Sequence, residues 1–380
     1  MDTAILYQEG LREYDFGPGH PFRGDRYEAF PRFLKDNLAA NGEYQILKAD
    51  PATDADLYLI CQKDYVDFTK GYYKAANLGL RYPDRFSFFH SADNRPISRP
   101  GKLEEAARLI VGQAKMACQL IQAGLPAVPR ELSQAGTFKK VVSIGGGLHH
   151  AKPGCGEGFC LYNDVAFCAL YLMQEYKLER ILILDTDAHA GNGTAEYFYA
   201  DPRVLFIDLH QNPATIYPGT GFANQIGHGK GMGFTINVPL PVNAGYDSYR
   251  MAFETIVEPV SREFKPQIII RNGGSDPHFS DGLTSLGLSV KGFRMLGERV
   301  REMAKICDGK VIDLIASGYN ETVLPYAWLA LIAGLTGSKM KIQEPEPIPA
   351  QFRTDHAFAE TPQVVAEVKN HLKDYWISLR

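Results

Sequence analysis

An α/β fold, one domain built on an open parallel sheet with helices on both faces, is predicted by three observations. Short apolar, β-branched runs recur along the chain, helical patterns separate them, and polar, glycine-bounded segments follow the carboxyl ends of four of the runs. Runs without polar alternation are strands buried on both faces, the condition a parallel sheet imposes. The 380 residues, with a hydrophobic fraction of 45%, supply a core for a single large α/β unit.

In chain order, the predicted strands are Leu57–Cys61, Val141–Ile144, Ile181–Leu184, Val204–Ile207, Phe234–Val238, Ile268–Ile270 and Val311–Ile315. The helical patterns between and after them include Leu103–Gly124, Asn163–Tyr176, Tyr246–Phe264, Val290–Cys307 and Val323–Leu335. The stretch Gln343–Gln351 (QEPEPIPAQ) carries three prolines and reads as a connector that ends a catalytic body of residues 1–342. Beyond it, Thr361 is expected to cap a last amphipathic helix running to about Asp374, with Pro362 early in it. Residues 343–380 are thus expected to pack back on the same domain.

Composition narrows the partners. The net charge is -4 with both signs scattered along the chain, so no broad basic surface for nucleic acid is expected. No run approaches the roughly 20 apolar residues of a spanning helix, and MDTAILYQEGLREYD lacks the basic-then-apolar pattern of a secretion signal. Six cysteines, at 61, 118, 155, 160, 168 and 307, form no CxxC pair and lie mostly among apolar neighbours. A soluble protein in the reducing cytoplasm, without membrane partners, is the expectation, with the oligomeric state left open.

Two segments dominate the chemistry, GGGLHHAKPGCGEGFC at 145–160 and LDTDAHAGNGT at 184–194. In extended backbone, Asp187 and His189 point to the same side and can share one ion. Asp276, ending another strand in RNGGSD, completes two carboxylates and an imidazole, leaving positions open for water and substrate. That donor set suits Zn2+ and also accommodates Fe2+, Co2+ or Mn2+. A lone DxD is more often a helix or turn cap, and it is the constellation that favours a metal. Two carboxylates neutralise the ion, so a separate base becomes useful, and His149 and His150 offer one. Tyr319 in SGYN supplies a neutral donor for an oxyanion formed when water attacks a metal-polarised carbonyl.

Taken in order, GGGLHHA, GFCLYND, LDTDAHAGNGT, IYPGTGF, the Asp276 segment and SGY resemble the histone deacetylase superfamily of metal-dependent amidohydrolases, over about Tyr14 to Gly334. The resemblance implies the arginase and deacetylase type of sheet. It also implies removal of acetyl or longer acyl groups from protein lysines or small amines such as polyamines, with metal-bound water attacking the amide carbonyl. On that pattern Asp187, His189 and Asp276 hold the metal, His150 is general base and then acid, and His149 gives electrostatic support. Tyr319 binds the carbonyl oxygen. Asp185 and Asn192 orient the imidazoles, and Asp185 with Asp208 holds a structural K+ or Na+. Gly158, Phe159 and Tyr217 line a slot for the acyl-lysine stem. Arg26, in HPFRGDR, faces a channel for product release, and Asp93 in HSADNRP is the candidate for a rim aspartate that clamps peptide substrates.

The chain departs from the family pattern at several points. Ala190 stands where a second histidine often follows the ligand, Asn192 where some members have Asp, and Ala316–Ser317–Gly318 in place of a glycine run before Tyr319. Pro277 and His278 after the third ligand are also unusual. Two rival readings are a non-catalytic acyl-lysine-binding scaffold or complex subunit and a two-manganese ureohydrolase. The first is disfavoured because every catalytic position is filled, the second because the extra carboxylates are missing.

Overall fold

Strands form where apolar runs are buried on both faces. β4 (Ile181–Asp185), β5 (Val204–Gln211), β7 (Ile268–Gly273) and β8 (Val311–Ile315) are buried at every position. β3 (Lys140–Ile144) is buried after its first residue, and β6 (Thr235–Leu240) at all but one. With β1 (Thr3–Leu6) and β2 (Tyr44–Leu47) they make an eight-stranded sheet in the order β2-β1-β3-β8-β7-β4-β5-β6. β1 pairs in parallel with β2 and β3, β4 with β5 and β7, and β5 with β6. This is the open parallel α/β sheet expected. The computed structural model describes residues 2–37, 44–122 and 138–380.

One expected strand is absent. In place of a strand at Leu57–Cys61 there is a short helix, Asp54–Leu57, running into a turn. Thr53 is its cap: the hydroxyl accepts from the Asp56 N–H, and the Asp56 carboxylate accepts from the Thr53 N–H. That reciprocal box fixes the first turn, and Leu57, Ile60 and Cys61 then bury as one face of it. β1 and β2, four residues each, were not anticipated; β2 is the edge strand and β1 its inner neighbour.

The helices keep the expected positions with adjusted ends. Leu103–Ile121, Asp164–Tyr176, Val290–Met303 and Leu324–Thr336 are α-helical. The expected end of the first, at Gly124, falls outside the described residues. Tyr246–Phe264 forms with a π-helical turn, Phe253–Val257, inside it. The last helix is Thr361–Leu372, and its cap is not Thr361. Thr361 is the first helical residue, its hydroxyl spent on the Ser248 hydroxyl and the Ala357 carbonyl, and Glu360 precedes it without a side-chain cap.

Two compact units are set off within the chain: residues up to Lys177 with Ile312–Ala316, and Leu178–Val311 with Ser317–Arg380. In the first, the helix Leu103–Ile121 is tied to β3 by the buried Gln113, whose amide donates to the Ser143 hydroxyl and the Ile144 carbonyl, both at 2.9 Å. In the second, the chain end is seated by Trp376. Its indole N–H donates to the Gly233 carbonyl at 2.8 Å, and its ring packs edge-on to Phe234 and Phe264.

Candidate metal centre and catalytic residues

In the second unit β4 ends at Asp185, and the chain leaves it in bends and not as extended strand. Asp185 Oδ1 accepts from the Asp187 N–H at 3.0 Å, and Asp187 Oδ1 from the His189 N–H at 2.9 Å. Each aspartate therefore closes a turn on the residue two further on. These turns, and not the alternation of an extended strand, bring Asp187 and His189 together. Asp276, after β7, joins them: His189 Nδ1 lies 3.2 Å from Asp187 Oδ1 and 3.0 Å from Asp276 Oδ2.

The three donor atoms lie within 4.8 Å of one another, all three residues are buried, and among the described residues this is the group able to hold a metal ion. The donor chemistry fits one. Ligands at zinc distances in a tetrahedral site stand about 3.3 Å apart, close to the two separations His189 makes. The charges fit as well. Burial pushes the Asp276 carboxyl up, and the charge of Asp187 pushes it further. Burial alone would lower His189, but its bonds to Asp187 and Asp276 raise it. Two anions crowded without solvent need a positive partner, and a divalent cation meets that need while leaving the imidazole neutral.

The supports of the triad are specific. Asp185 Oδ2 accepts from the Asn272 amide at 2.9 Å, so the residue ending β4 is fixed from β7. Asp208, in register with Asp185 on β5, accepts from the Gly191 N–H at 2.8 Å. Its other oxygen meets His210 Nδ1 at 2.8 Å, and His210 Nε2 meets the Gly221 carbonyl at 2.9 Å. Both ring nitrogens face oxygen acceptors, a pattern that an imidazolium on an ionised Asp208 satisfies. Burial lowers His210 and the Asp208 charge more than offsets it, so its affinity for a proton is raised. Gly221 belongs to IYPGTGF, so the same histidine ties down the loop that carries Tyr217, itself 43% exposed. Tyr319 follows β8, its N–H bonded to Asp281 Oδ2 at 2.8 Å. Asn192 opens the helix Asn192–Phe198.

In the first unit, β3 runs into the glycine turn that presents the histidine pair. Both imidazoles are buried, and their Nε2 atoms stand 3.1 Å apart, so one ring donates the N–H that the other accepts. Two neighbours in GFCLYND hold that turn. Asn163 caps the helix Asp164–Tyr176 through its side-chain oxygen, while its amide donates to the carbonyls of His149, at 3.2 Å, and Ala151, at 3.0 Å. The Asp164 carboxylate accepts from the N–H groups of Gly147 and Leu148. Burial raises the Asp164 carboxyl to about 7 even though those bonds favour the anion.

Gly158 and Phe159 both adopt left-handed backbone, at φ 58° and 64°. A Cβ on Gly158 would lie 2.3 Å from His150 Cδ2, so this turn closes on the histidine only with glycine there. The Asp93 carboxylate accepts from the Gly158 N–H at 2.9 Å and from the Ser91 hydroxyl, so the rim candidate shapes this turn. The Phe159 ring packs against His20, Phe16 and Phe22, and the Tyr14 hydroxyl donates to its carbonyl at 2.6 Å. Arg26 is buried below, its guanidinium over Phe22 and donating to the carbonyls of Ala316 and Arg23, both at 2.9 Å.

Sequence reasoning assigned no role to Asn163, Asp164, His210 or Asp281. The first two lie inside a motif that had been noticed, and polar residues closing the apolar run FCLY were the available signal. Asp281 had none, since its bond to Tyr319 spans 38 residues.

The fold agrees with the comparisons. The histone deacetylase domain family matches residues 20–335. A probable deacetylase of Archaeoglobus fulgidus is 34% identical over 99% of both chains. The acetoin utilization protein AcuC of Staphylococcus aureus, strain MSSA476, is 36% identical over 86% of this chain and 79% of its own. Among solved structures, the crystal structure of the HDA15 HD domain superposes with a TM-score of 0.77 at 26% identity, covering 100% of this chain and 97% of that one. With an open parallel sheet of the same type and the family matched over most of its length, the chain belongs to the histone deacetylase family.

Proposed function

We propose that the protein is a metal-dependent deacylase that hydrolyses the amide of an acyl-lysine or of an acylated small amine, with zinc as the working ion. The convergence of Asp187, His189 and Asp276 on one buried point carries this reading. An ion held by the three supplies Lewis-acid polarisation of the amide carbonyl and makes a water easier to deprotonate. His150 takes the proton from the attacking water and returns it to the leaving nitrogen. His149, whose Nε2 meets that of His150 at 3.1 Å, supplies electrostatic support. Tyr319 donates to the oxygen on which negative charge develops.

Phe159 and Tyr217 are read as aromatic walls for an aliphatic stem, and Asp185 with Asp208 as holders of a monovalent cation. A reducing cytoplasmic setting is read from six cysteines that form no CxxC pair and lie mostly among apolar neighbours. No helix among the described residues is long and apolar enough to cross a membrane.

The test is a panel of acyl-lysine and acyl-polyamine substrates of graded acyl length, assayed on protein stripped by chelator and reconstituted with zinc, iron(II) or manganese. Stripping is expected to abolish turnover and zinc to restore it. His150→Ala and Tyr319→Phe should each lower kcat by about 10²–10⁴-fold with an unchanged circular dichroism spectrum. Full activity in either variant overturns the assignment.

A further inference from the structure

We infer that Ser317 is a positioning residue for the metal ligand Asp276 and makes the Tyr319 loop and the metal site one mechanical unit. The inference rests on reading Asp187, His189 and Asp276 as a metal site, and it concerns a position where this chain departs from the glycine run of its family.

The two oxygens of Asp276 have different duties. Oδ2 faces His189 Nδ1 at 3.0 Å, on the side where the donors converge. Oδ1 accepts the Ser317 hydroxyl at 2.8 Å and, more weakly, the Ala188 N–H at 3.3 Å. Ser317 and Asp276 are both buried, so this hydroxyl donates to a carboxylate away from solvent. A neutral donor on the outer oxygen fixes the carboxylate's rotation and so aims the other oxygen at the point where the donors converge. Alanine or glycine at 317 leaves the outer oxygen with the longer Ala188 bond.

Ser317 is itself held. Its carbonyl accepts from the Ser275 N–H at 2.9 Å and from the Trp328 indole N–H at 3.0 Å. Gly274 lies so close that a Cβ there would come within 2.1 Å of the Ser317 carbonyl oxygen and 2.4 Å of its hydroxyl oxygen. Two residues on, the Tyr319 N–H bonds Asp281 Oδ2 at 2.8 Å. The tripeptide Ser317–Gly318–Tyr319 therefore interlocks with the loop Ser275–Asp281 at three points, one of them the ligand itself. Where a glycine run would leave the tyrosine loop free to move, this chain clamps it to the metal site.

The experiment measures zinc affinity by competition with a chromogenic chelator, alongside the melting of the metal-free proteins. Ser317→Ala and Ser317→Gly are expected to bind zinc about 10–100-fold more weakly than wild type, with metal-free melting unchanged. A zinc Kd within about twofold of wild type in Ser317→Ala, with unchanged metal-free melting, overturns the inference. Should Ser317→Ala lower the metal-free melting, Ser317→Thr decides, because it returns a hydroxyl to the position. Affinity restored by threonine supports the role, and affinity still lost in a threonine variant that melts like wild type removes it. Failure of the parent reading looks different: wild type would then bind no stoichiometric zinc, and Asp187→Ala would make no difference.

Discussion

Asp164 is a carboxyl group for which the folded state is the costlier place to be ionised, and this gives a prediction with a definite sign. Its folded value of about 7 stands above the ordinary aspartate value of 3.8 because burial outweighs the N–H bonds from Leu148 and Gly147. The native state therefore keeps a proton that the unfolded chain has already lost, between about pH 4 and pH 7. Stability from this group is greatest below that window and declines through it as pH rises, by at most about 1.4 kcal/mol per pH unit. Asp164→Asn removes the titration. Denaturant unfolding of both proteins at about pH 5 and pH 8 should show wild type losing roughly 2.5 kcal/mol relative to the variant. A difference that stays constant with pH defeats the idea. At this scale the sequence showed His149, His150, Asp187, His189, Asp276 and Tyr319, because each follows an apolar strand where a polar side chain has no packing duty. Ser317 was legible only as a break in a glycine run and Asp281 not at all, because their bonds join positions 41 and 38 residues apart and leave no local pattern.

Among the elements, legibility followed burial and length together: β1, buried at all four of its residues, was too short to stand out. Strands covered on both faces announce themselves through apolar, β-branched runs, and β4, β5, β7 and β8 each contain one. β2 is half exposed and four residues long, so little of it is distinctive. Leu57–Cys61 misled for the converse reason: an apolar run of five is compatible with strand or helix, and the Thr53–Asp56 capping box decides between them. The helix Asp164–Tyr176 shows what an element contributes to the site. Its cap, Asn163, accepts from the Ala166 N–H at 2.8 Å while its amide holds the carbonyls of His149 and Ala151. The two duties separate by substitution. Asn163→Ser keeps a capping oxygen and loses the amide, whereas Asn163→Ala loses both. Alanine should cost about 0.5–2 kcal/mol of stability, and serine less. If the amide holds the histidine turn, both variants lower kcat to a similar extent; equal stability losses with wild-type kcat would refute that.

At the level of the whole molecule, the question is whether residues 343–380 are an appended tail or part of the folding unit. The proline-rich connector, expected to lead into a segment that packs back on the domain, is anchored through Glu344. One carboxylate oxygen meets His278 Nε2 at 3.1 Å and the other accepts the Val290 N–H, at the start of the helix Val290–Met303. Asp355 then accepts the Ser248 N–H at 2.7 Å, and Glu263 accepts the N–H groups of Ile377 and Ser378. Trp376 is 5% exposed. A tail with this many buried and bonded groups shares the cooperativity of the body it covers, since releasing it strands the backbone donors at Ser248 and Val290. Trp376→Ala in the full chain removes the largest anchor and is expected to cost about 3–5 kcal/mol. The form of the unfolding curve is the sharper measurement. If the segment folds with the rest, the variant shows a single transition displaced to lower denaturant with the same slope, because the surface exposed on unfolding is nearly unchanged. If it docks independently, the main transition stays where it was and a separate early step of small slope appears. Far-ultraviolet circular dichroism and tryptophan fluorescence distinguish these, because Trp376 and the buried Trp328 are the only tryptophans in the chain. In Trp376→Ala all remaining tryptophan signal comes from Trp328, whose indole is bonded to Ser317. A fluorescence midpoint that moves with the dichroism would show that loosening the chain end is felt beside Asp276, to which Ser317 is bonded.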